Sequence, residues 1–306
     1  MTKKKPTVSL ILGGGSARGL AHIGVIEVLL ERGFEIKSIS GCSIGALVGG
    51  IYATGKLPQY RHWLKGLDKT AVFRLLDFSF QRSGLFKGDR IIEALLALVG
   101  EHNIEDLPIK YTAVATDIDR EKEIWFVDGS LFQAIRASIA IPSVFTPHHY
   151  RGMQLLDGGL LDPLPIAPSA GDNTDITIAV NLNAKVRSAH EKAIDETVEV
   201  SDEDALDPKW HRRVATYLDR FIPEKIPSAL LPAERLSLLE LMSQSIEMMQ
   251  NTIAHSKMAS NRPDILIEIP RDLAGVFEFH RSEMLIAYGR ARAVAALDHY
   301  ERSKHH

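Results

Sequence analysis

The chain has 306 residues, 45% of them hydrophobic, which is ample for a large core in one or two domains. A formal net charge of −3 excludes a whole-chain field that would gather nucleic acid or an anionic membrane, so any membrane contact has to be local. Cys42 is the only cysteine, which excludes an internal disulfide and fits a reducing compartment, with the cytoplasm as the default.

The chain opens with Lys3, Lys4 and Lys5, but the apolar run over 8–12 that follows is too short for a signal peptide and breaks at three glycines. No stretch approaches the roughly 18 consecutive apolar residues of a membrane span. Residues 7–12 read as a buried-type strand and 13–17 as a turn. Residues 18–32 read as a helix, with Ile23, Ile26, Leu29 and Leu30 at helical spacing and Gly33 at its end. A second strand over 36–40 runs into Gly41-Cys42-Ser43-Ile44-Gly45, and 44–54 opens another helix. Two parallel strands joined by a right-handed crossover put both turns at the carboxyl ends of neighbouring strands, where open α/β sheets hold their sites.

Farther along, 111–116 and 123–127 read as strands and 131–137 as a helix. A short strand over 154–156 leads into Asp157-Gly158-Gly159, and 176–181 is a later strand. Residues 189–207 are acidic and poor in apolar side chains, the pattern of a surface loop. Two helices follow, one with Trp210, Val214, Tyr217, Leu218 and Phe221 on one face and one over 233–258. A last strand over 265–269 and a closing helix over 281–300 complete the chain. Residues 72–86 hold Phe73, Leu75, Leu76, Phe78, Phe80, Leu85 and Phe86 between charges, a pattern of core or oligomer contact, or, more sharply, of a lipid-facing lid. The basic amphipathic segment at 210–221 carries the same two readings.

A G-x-S-x-G between strand and helix forces its serine onto a strained turn with the hydroxyl open to substrate, which makes Ser43 the candidate nucleophile and Gly41 and Gly45 the small residues of its elbow. The upstream turn, Gly13-Gly14-Gly15-Ser16-Ala17-Arg18-Gly19, suits either a pyrophosphate or an oxyanion. A dinucleotide site wants an acidic residue at the end of the second strand, where this chain has Ser40, Gly41 and Cys42, and no G-K-[ST] marks a phosphate loop. The oxyanion reading therefore leads, ahead of a purely structural turn. An α/β-hydrolase triad would need a histidine after its acid; none of His190, His211, His255, His280 and His299 sits in a turn just after a convincing strand.

The three motifs in this order, joined by Ala115-Thr116-Asp117, by Ala137-Ser138-Ile139-Ala140-Ile141-Pro142 and by the run from Asp157 to Pro165, resemble the patatin-like phospholipase family and especially its short bacterial members. The resemblance is good over 7–165 and looser in the last third. It implies a three-layer α/β/α sandwich with a mostly parallel central sheet, in a single domain over 1–306 with a catalytic core over about 7–182 and a helical carboxyl-terminal extension over about 205–302. It also implies a Ser-Asp dyad of Ser43 and Asp157, an oxyanion loop at Gly13, Gly14 and Gly15 with Arg18 as its basic residue, and a D-G-G motif completed by Gly158 and Gly159. Cys42 stands where family members commonly carry another small residue, and reads as a buried spacer.

The expected activity is hydrolysis of fatty acyl esters of phospholipids or lysophospholipids through an acyl-enzyme, with no metal or other cofactor. A peripheral membrane contact and a homo-oligomer are compatible with it, and nucleic acid is not an expected partner. The competing expectation is a weakly active regulatory protein on the same fold, binding lipid or a protein partner. An aspartate is a weak base in water, so Asp157 has to gain basicity from desolvation, against which a nearby Arg18 would pull. His22 is expected to pack or hydrogen-bond, Ser138 and Pro142 to shape the cleft, and Asp117 and Asp162 to anchor structure.

Overall fold

The computed structural model describes residues 5–77, 79, 84–185 and 233–304. The first strand, β1 (Thr7–Leu12), shows why a sheet forms here: Val8, Leu10 and Leu12 enter the main core, while Ile11 faces a smaller cluster on the opposite side. Ser16–Leu20 forms a 3-10 turn and α1 (Ala21–Glu31) follows, so the helix expected from residue 18 starts one turn later. Strand β2 (Glu35–Cys42) runs through Gly41 and Cys42, two residues beyond its expected end, and lies parallel to β1. Next come α2 (Ile44–Ala53), α3 (Leu57–Lys65), α4 (Lys69–Leu75), the short β3 (Gly84–Phe86) and α5 (Asp89–Val99).

The second half of the sheet is built from β4 (Lys110–Asp117) and β5 (Lys122–Phe126), then α6 (Leu131–Ser138), β6 (Ser143–Phe145), β7 (His148–Tyr150), β8 (Met153–Asp157) and β9 (Ile176–Ala184). The long α7 (Ala233–Ser260), β10 (Ile265–Pro270) and α8 (Ser282–Ser303) close the chain. Hydrogen-bonded neighbours run β10-β9-β1-β2-β4-β8-β7, with β5 also on β4, and β3 pairs with β6 separately. The five strands from β10 to β4 are parallel; β5, β8 and β7 enter antiparallel.

The result is an α/β/α sandwich with a mostly parallel sheet. Helices α1, α2, α6 and α8 cover one face, and α7 packs on the other through Ala254 and Met258 against Ile11, Leu164, Ile166 and Ala179. Helices α1 and α8 approach through glycine: a Cβ at Gly24 would fall inside the carbonyl of Ile286, and one at Gly289 inside that of Ala21.

One detail of register positions the site. Strand β5 flanks one side of β4 from Ala113 to Asp117, so β2 and β8 share the other side. Cys42, the end of β2, pairs with Val114, and Asp157, the end of β8, pairs with Ala115. The two strands therefore run toward each other along β4 and stop on consecutive residues of it.

Among the described residues, the stretch between 54 and 110 holds three helices, α3, α4 and α5, that the sequence pattern does not divide. Within 72–86, Val72, Leu75, Leu76 and Phe86 are buried and Phe73 is exposed. Residues 78 and 80–83 of that stretch, the loop expected over 189–207 and the helix expected over 210–221 lie outside the described residues.

Candidate active site

Ser43 sits at the junction of β2 and α2 with φ 53° and ψ −125°, a left-handed φ that costs a non-glycine residue roughly 1–3 kcal/mol. Glycine on both sides permits the turn. A Cβ at Gly41 would lie 2.6 Å from the Ala46 nitrogen, and one at Gly45 would fall inside the Leu12 carbonyl. The Ser43 N–H donates to Ser138 Oγ at 2.8 Å, and that hydroxyl donates to the Val114 carbonyl at 2.6 Å. Ser138 thus ties the strained turn to β4 at the seam where the two strand ends meet.

Across that seam, Ser43 Oγ donates to Asp157 Oδ2 at 2.6 Å. The other carboxylate oxygen accepts the Gly159 N–H at 2.7 Å and faces the Cys42 thiol at 3.7 Å. Thr116 Oγ1 donates to the Asp157 carbonyl at 3.0 Å, and a Cβ at Gly158 would fall inside the Val114 carbonyl, so the D-G-G backbone packs directly on β4. Asp157 is 3% exposed, and burial lifts its pKa from 3.8 to about 6 against the hydrogen bonds from Ser43, Gly159 and Cys42. Burial pushes the Cys42 thiol well up as well, so it stays neutral.

The expected pull of Arg18 on Asp157 is not found. The Arg18 guanidinium, 2% exposed, donates to the carbonyls of Arg271 (3.0 Å) and Ala274 (3.2 Å), to Asn183 Oδ1 (3.2 Å) and to Glu247 Oε1 (2.8 Å), and it is not among the groups acting on Asp157.

The three glycines of the upstream turn are not equivalent. The Gly13 N–H donates to the Val180 carbonyl and that of Gly14 to the Pro163 carbonyl, both at 3.0 Å. Gly15 has no such acceptor among the described residues, and it lines a polar cleft with Gly14, Ser43 and Asp157. A Cβ at Gly14 would lie 3.3 Å from the Ser43 Cβ, so the loop passes directly over the nucleophile. At the start of α2 the Ile44 N–H is one of the first-turn donors that a helix leaves without an internal partner. His22 is fully buried with Nε2 2.9 Å from the Gly13 carbonyl, and burial lowers its pKa to about 4, so it is a neutral donor that fixes the loop.

Two clefts meet at Ser43. The larger, about 790 Å³ with its open mouth included, is lined almost wholly by apolar side chains: Leu47 from α2, Tyr60 and Trp63 from α3, Val72 and Leu75 from α4, and Leu95 from α5. The smaller, about 420 Å³, is the more polar of the two, with Ser16, Asp157, Glu247 and Gln250 in its walls, and Ile246, Glu247 and Gln250 of α7 close its far side. Ser16, Ser43, Ile141 and Val276 border both.

Of the remaining candidates, Asp117 accepts the N–H of Asp119 at 3.1 Å and Arg120 Nη1 at 2.5 Å, an anchor for the turn after β4. Asp162 is fully buried with its pKa lifted to about 6 by desolvation, and Lys257 Nζ lies 3.3 Å from its Oδ1. Asn183, Glu247 and Gln250 escaped the sequence reading. The signal for Asn183 is a pair of asparagines, Asn181 and Asn183, near the end of a strand that is otherwise apolar except for Thr177; Glu247 and Gln250 carry none beyond their helix.

Residues 10–169 match the family described as Patatin-like phospholipase. An uncharacterized NTE family protein of Mycobacterium tuberculosis is 41% identical over 342 residues, which cover 97% of this chain and 92% of that one. The lysophospholipase nte1 of Emericella nidulans is 28% identical, over 93% of this chain and 18% of its own length. Patatin-like phospholipase domain-containing protein 6 of Mus musculus is 35% identical over 57% of this chain and 13% of its own. With the match spanning more than half of the chain, and with a relative of similar length at 41% identity, the chain belongs to the patatin-like phospholipase family.

Proposed function

We propose that this chain is a single-domain serine acyl hydrolase that cleaves fatty acyl esters of phospholipids or lysophospholipids through a Ser43–Asp157 dyad. The observation that carries the reading is the 2.6 Å hydrogen bond from Ser43 to a desolvated carboxylate at the mouth of an apolar cleft of about 790 Å³. An acyl chain fits the apolar cleft, and the polar cleft beyond it takes the alcohol that leaves. The names of the fungal and mouse relatives support the same substrate class.

In this reaction Ser43 Oγ attacks the ester carbonyl carbon while its proton passes to Asp157 Oδ2. Negative charge develops on the carbonyl oxygen, where the N–H groups of Gly15 and Ile44 are the donors available, each contributing on the order of 3 kcal/mol. The C–O bond to the alcohol breaks, the alcohol leaves with the proton from Asp157, and an acyl-serine remains. Water then gives a proton to Asp157 and its oxygen to the acyl carbon. The fatty acid departs, and the proton returns to Ser43.

Contact with a lipid surface is supported by exposed Leu241, Met242, Met248 and Met249 on α7, the helix that closes the polar cleft. No helix among the described residues is long and apolar enough to cross a membrane. A cytoplasmic site of action belongs to the same proposal, with the buried thiol of Cys42 in its support.

The test is hydrolysis of a lysophospholipid by wild type, Ser43→Ala and Asp157→Asn. The reading expects fatty acid release by wild type and a loss of about a thousandfold or more in both variants. Wild-type turnover retained by folded Ser43→Ala would refute it.

A further inference from the structure

We propose that Asn183 is a positioning residue for the oxyanion-binding peptide, and that Arg18 and Glu247 hold it in that role, so that the seating of helix α7 is coupled to the reactivity of Ser43. The inference rests on the hydrolase reading above.

The Gly15 N–H and the Gly14 carbonyl belong to one peptide plane, and in a trans peptide they point in opposite directions. Fixing one fixes the other. Glycine on both sides of this plane leaves it free of the side-chain sterics that restrain other residues, so the plane can flip. The flipped plane would present a carbonyl oxygen where negative charge develops. Asn183 Nδ2 donates to that carbonyl at 3.2 Å, which holds the N–H toward the polar cleft that Gly15 lines with Ser43 and Asp157.

The direction of the Asn183 carboxamide is itself determined. A guanidinium only donates, so the atom facing Arg18 Nη2 at 3.2 Å has to be the oxygen, leaving the NH₂ for Gly14. Asn183 is 2% exposed, and its own N–H is held by Asn181 Oδ1 at 3.1 Å. Arg18 is anchored on the Arg271 and Ala274 carbonyls, and its Nη2 also reaches Glu247 Oε1 at 2.8 Å. Glu247 is the only carboxylate with which Arg18 pairs among the described residues. A buried guanidinium without its counter-charge is costly, so displacement of α7 would release Arg18 and, through it, Asn183. The chain of contacts runs from a helix that borders the leaving-group cleft to the peptide above the nucleophile.

The experiment uses the full chain, a lysophospholipid substrate and a long-chain trifluoromethyl ketone, which forms a reversible tetrahedral adduct with an activated serine. Asn183→Leu keeps the shape and removes the donor. Its kcat should fall about tenfold to a hundredfold with KM within about twofold of wild type, and its affinity for the ketone should fall by the same factor as kcat. Glu247→Leu should move kcat and ketone affinity in the same direction, and Glu247→Gln, which keeps an acceptor for Arg18, should restore most of both. Since Glu247 is partly exposed, this pair reads the network even where Asn183→Leu does not fold. Folded variants with kcat and ketone affinity within about twofold of wild type, or a loss confined to KM, would overturn the proposal. A wild-type protein that neither turns over the substrate nor binds the ketone would overturn the hydrolase reading itself, a distinct result.

Discussion

Ser43 Oγ lies 2.6 Å from Asp157 Oδ2 although 114 residues separate them. The contact follows from register: β2 and β8 end on Val114 and Ala115 of the same side of β4, so the residue after one strand meets the last residue of the other. Because burial holds the Asp157 pKa at about 6, the carboxylate that accepts the serine proton forms as pH rises through that value. The expected pH profile of kcat/KM therefore rises through about pH 6 and is level above it. A titration of initial rates with a soluble short-chain ester checks this. A limb near pH 4 would mean a base in ordinary solvent contact.

The same burial makes Asp157 a cost to stability. Its folded pKa lies above the ordinary 3.8, so between about pH 4 and pH 6 the folded chain binds more protons than the unfolded one, and stability falls as pH rises through that window. Asp157→Asn removes the ionisation. At pH 8 the variant should be more stable than wild type by on the order of 2–3 kcal/mol, and the advantage should vanish below about pH 4. Denaturant melts at the two pH values measure it; equal stability at pH 8 would show that the carboxylate is solvated.

Backbone strain at Ser43 predicts an order among inactive variants. Glycine adopts φ 53° freely and alanine does not, while both lose the hydroxyl. Ser43→Gly should unfold at higher denaturant than Ser43→Ala, by about 1 kcal/mol. The reverse order would mean that the elbow is relaxed.

The elbow, the glycine turn and D-G-G were legible in the sequence because each is a backbone constraint that few residues satisfy. At Gly45 and Gly158 even one added carbon would fall inside a carbonyl of the neighbouring strand, and such positions print themselves as glycine. Local patterning likewise marked β1, β2, β4, β8 and β9 to within a few residues. The walls of the apolar cleft were not legible. Helices α3, α4 and α5 carry mixed faces, and which of their residues line a cavity depends on how α3 packs on α2, α5 on α6 and α4 on the 3-10 turn Phe279–Arg281. Its place in the glycine motif assigns Arg18 to the oxyanion site. Its partners lie 165 and 229 residues away, at Asn183 and Glu247, a distance that no local pattern spans.

The cleft predicts chain-length selection. Val72 of α4 is buried in its wall, and Val72→Phe adds bulk to space that an acyl chain would occupy. Turnover of a butyryl ester should stay within about twofold of wild type while that of a palmitoyl ester falls about tenfold or more. Parallel losses on both esters would place the acyl chain elsewhere.

The measurement closest to the central claim is labelling by a fluorophosphonate followed by peptide mass spectrometry, run at several pH values. The dyad predicts a single adduct on Ser43 that forms faster as pH rises through about 6 and is lost in Asp157→Asn. Folded protein that leaves Ser43 unmodified, or that labels Ser43 equally well without Asp157, would contradict it.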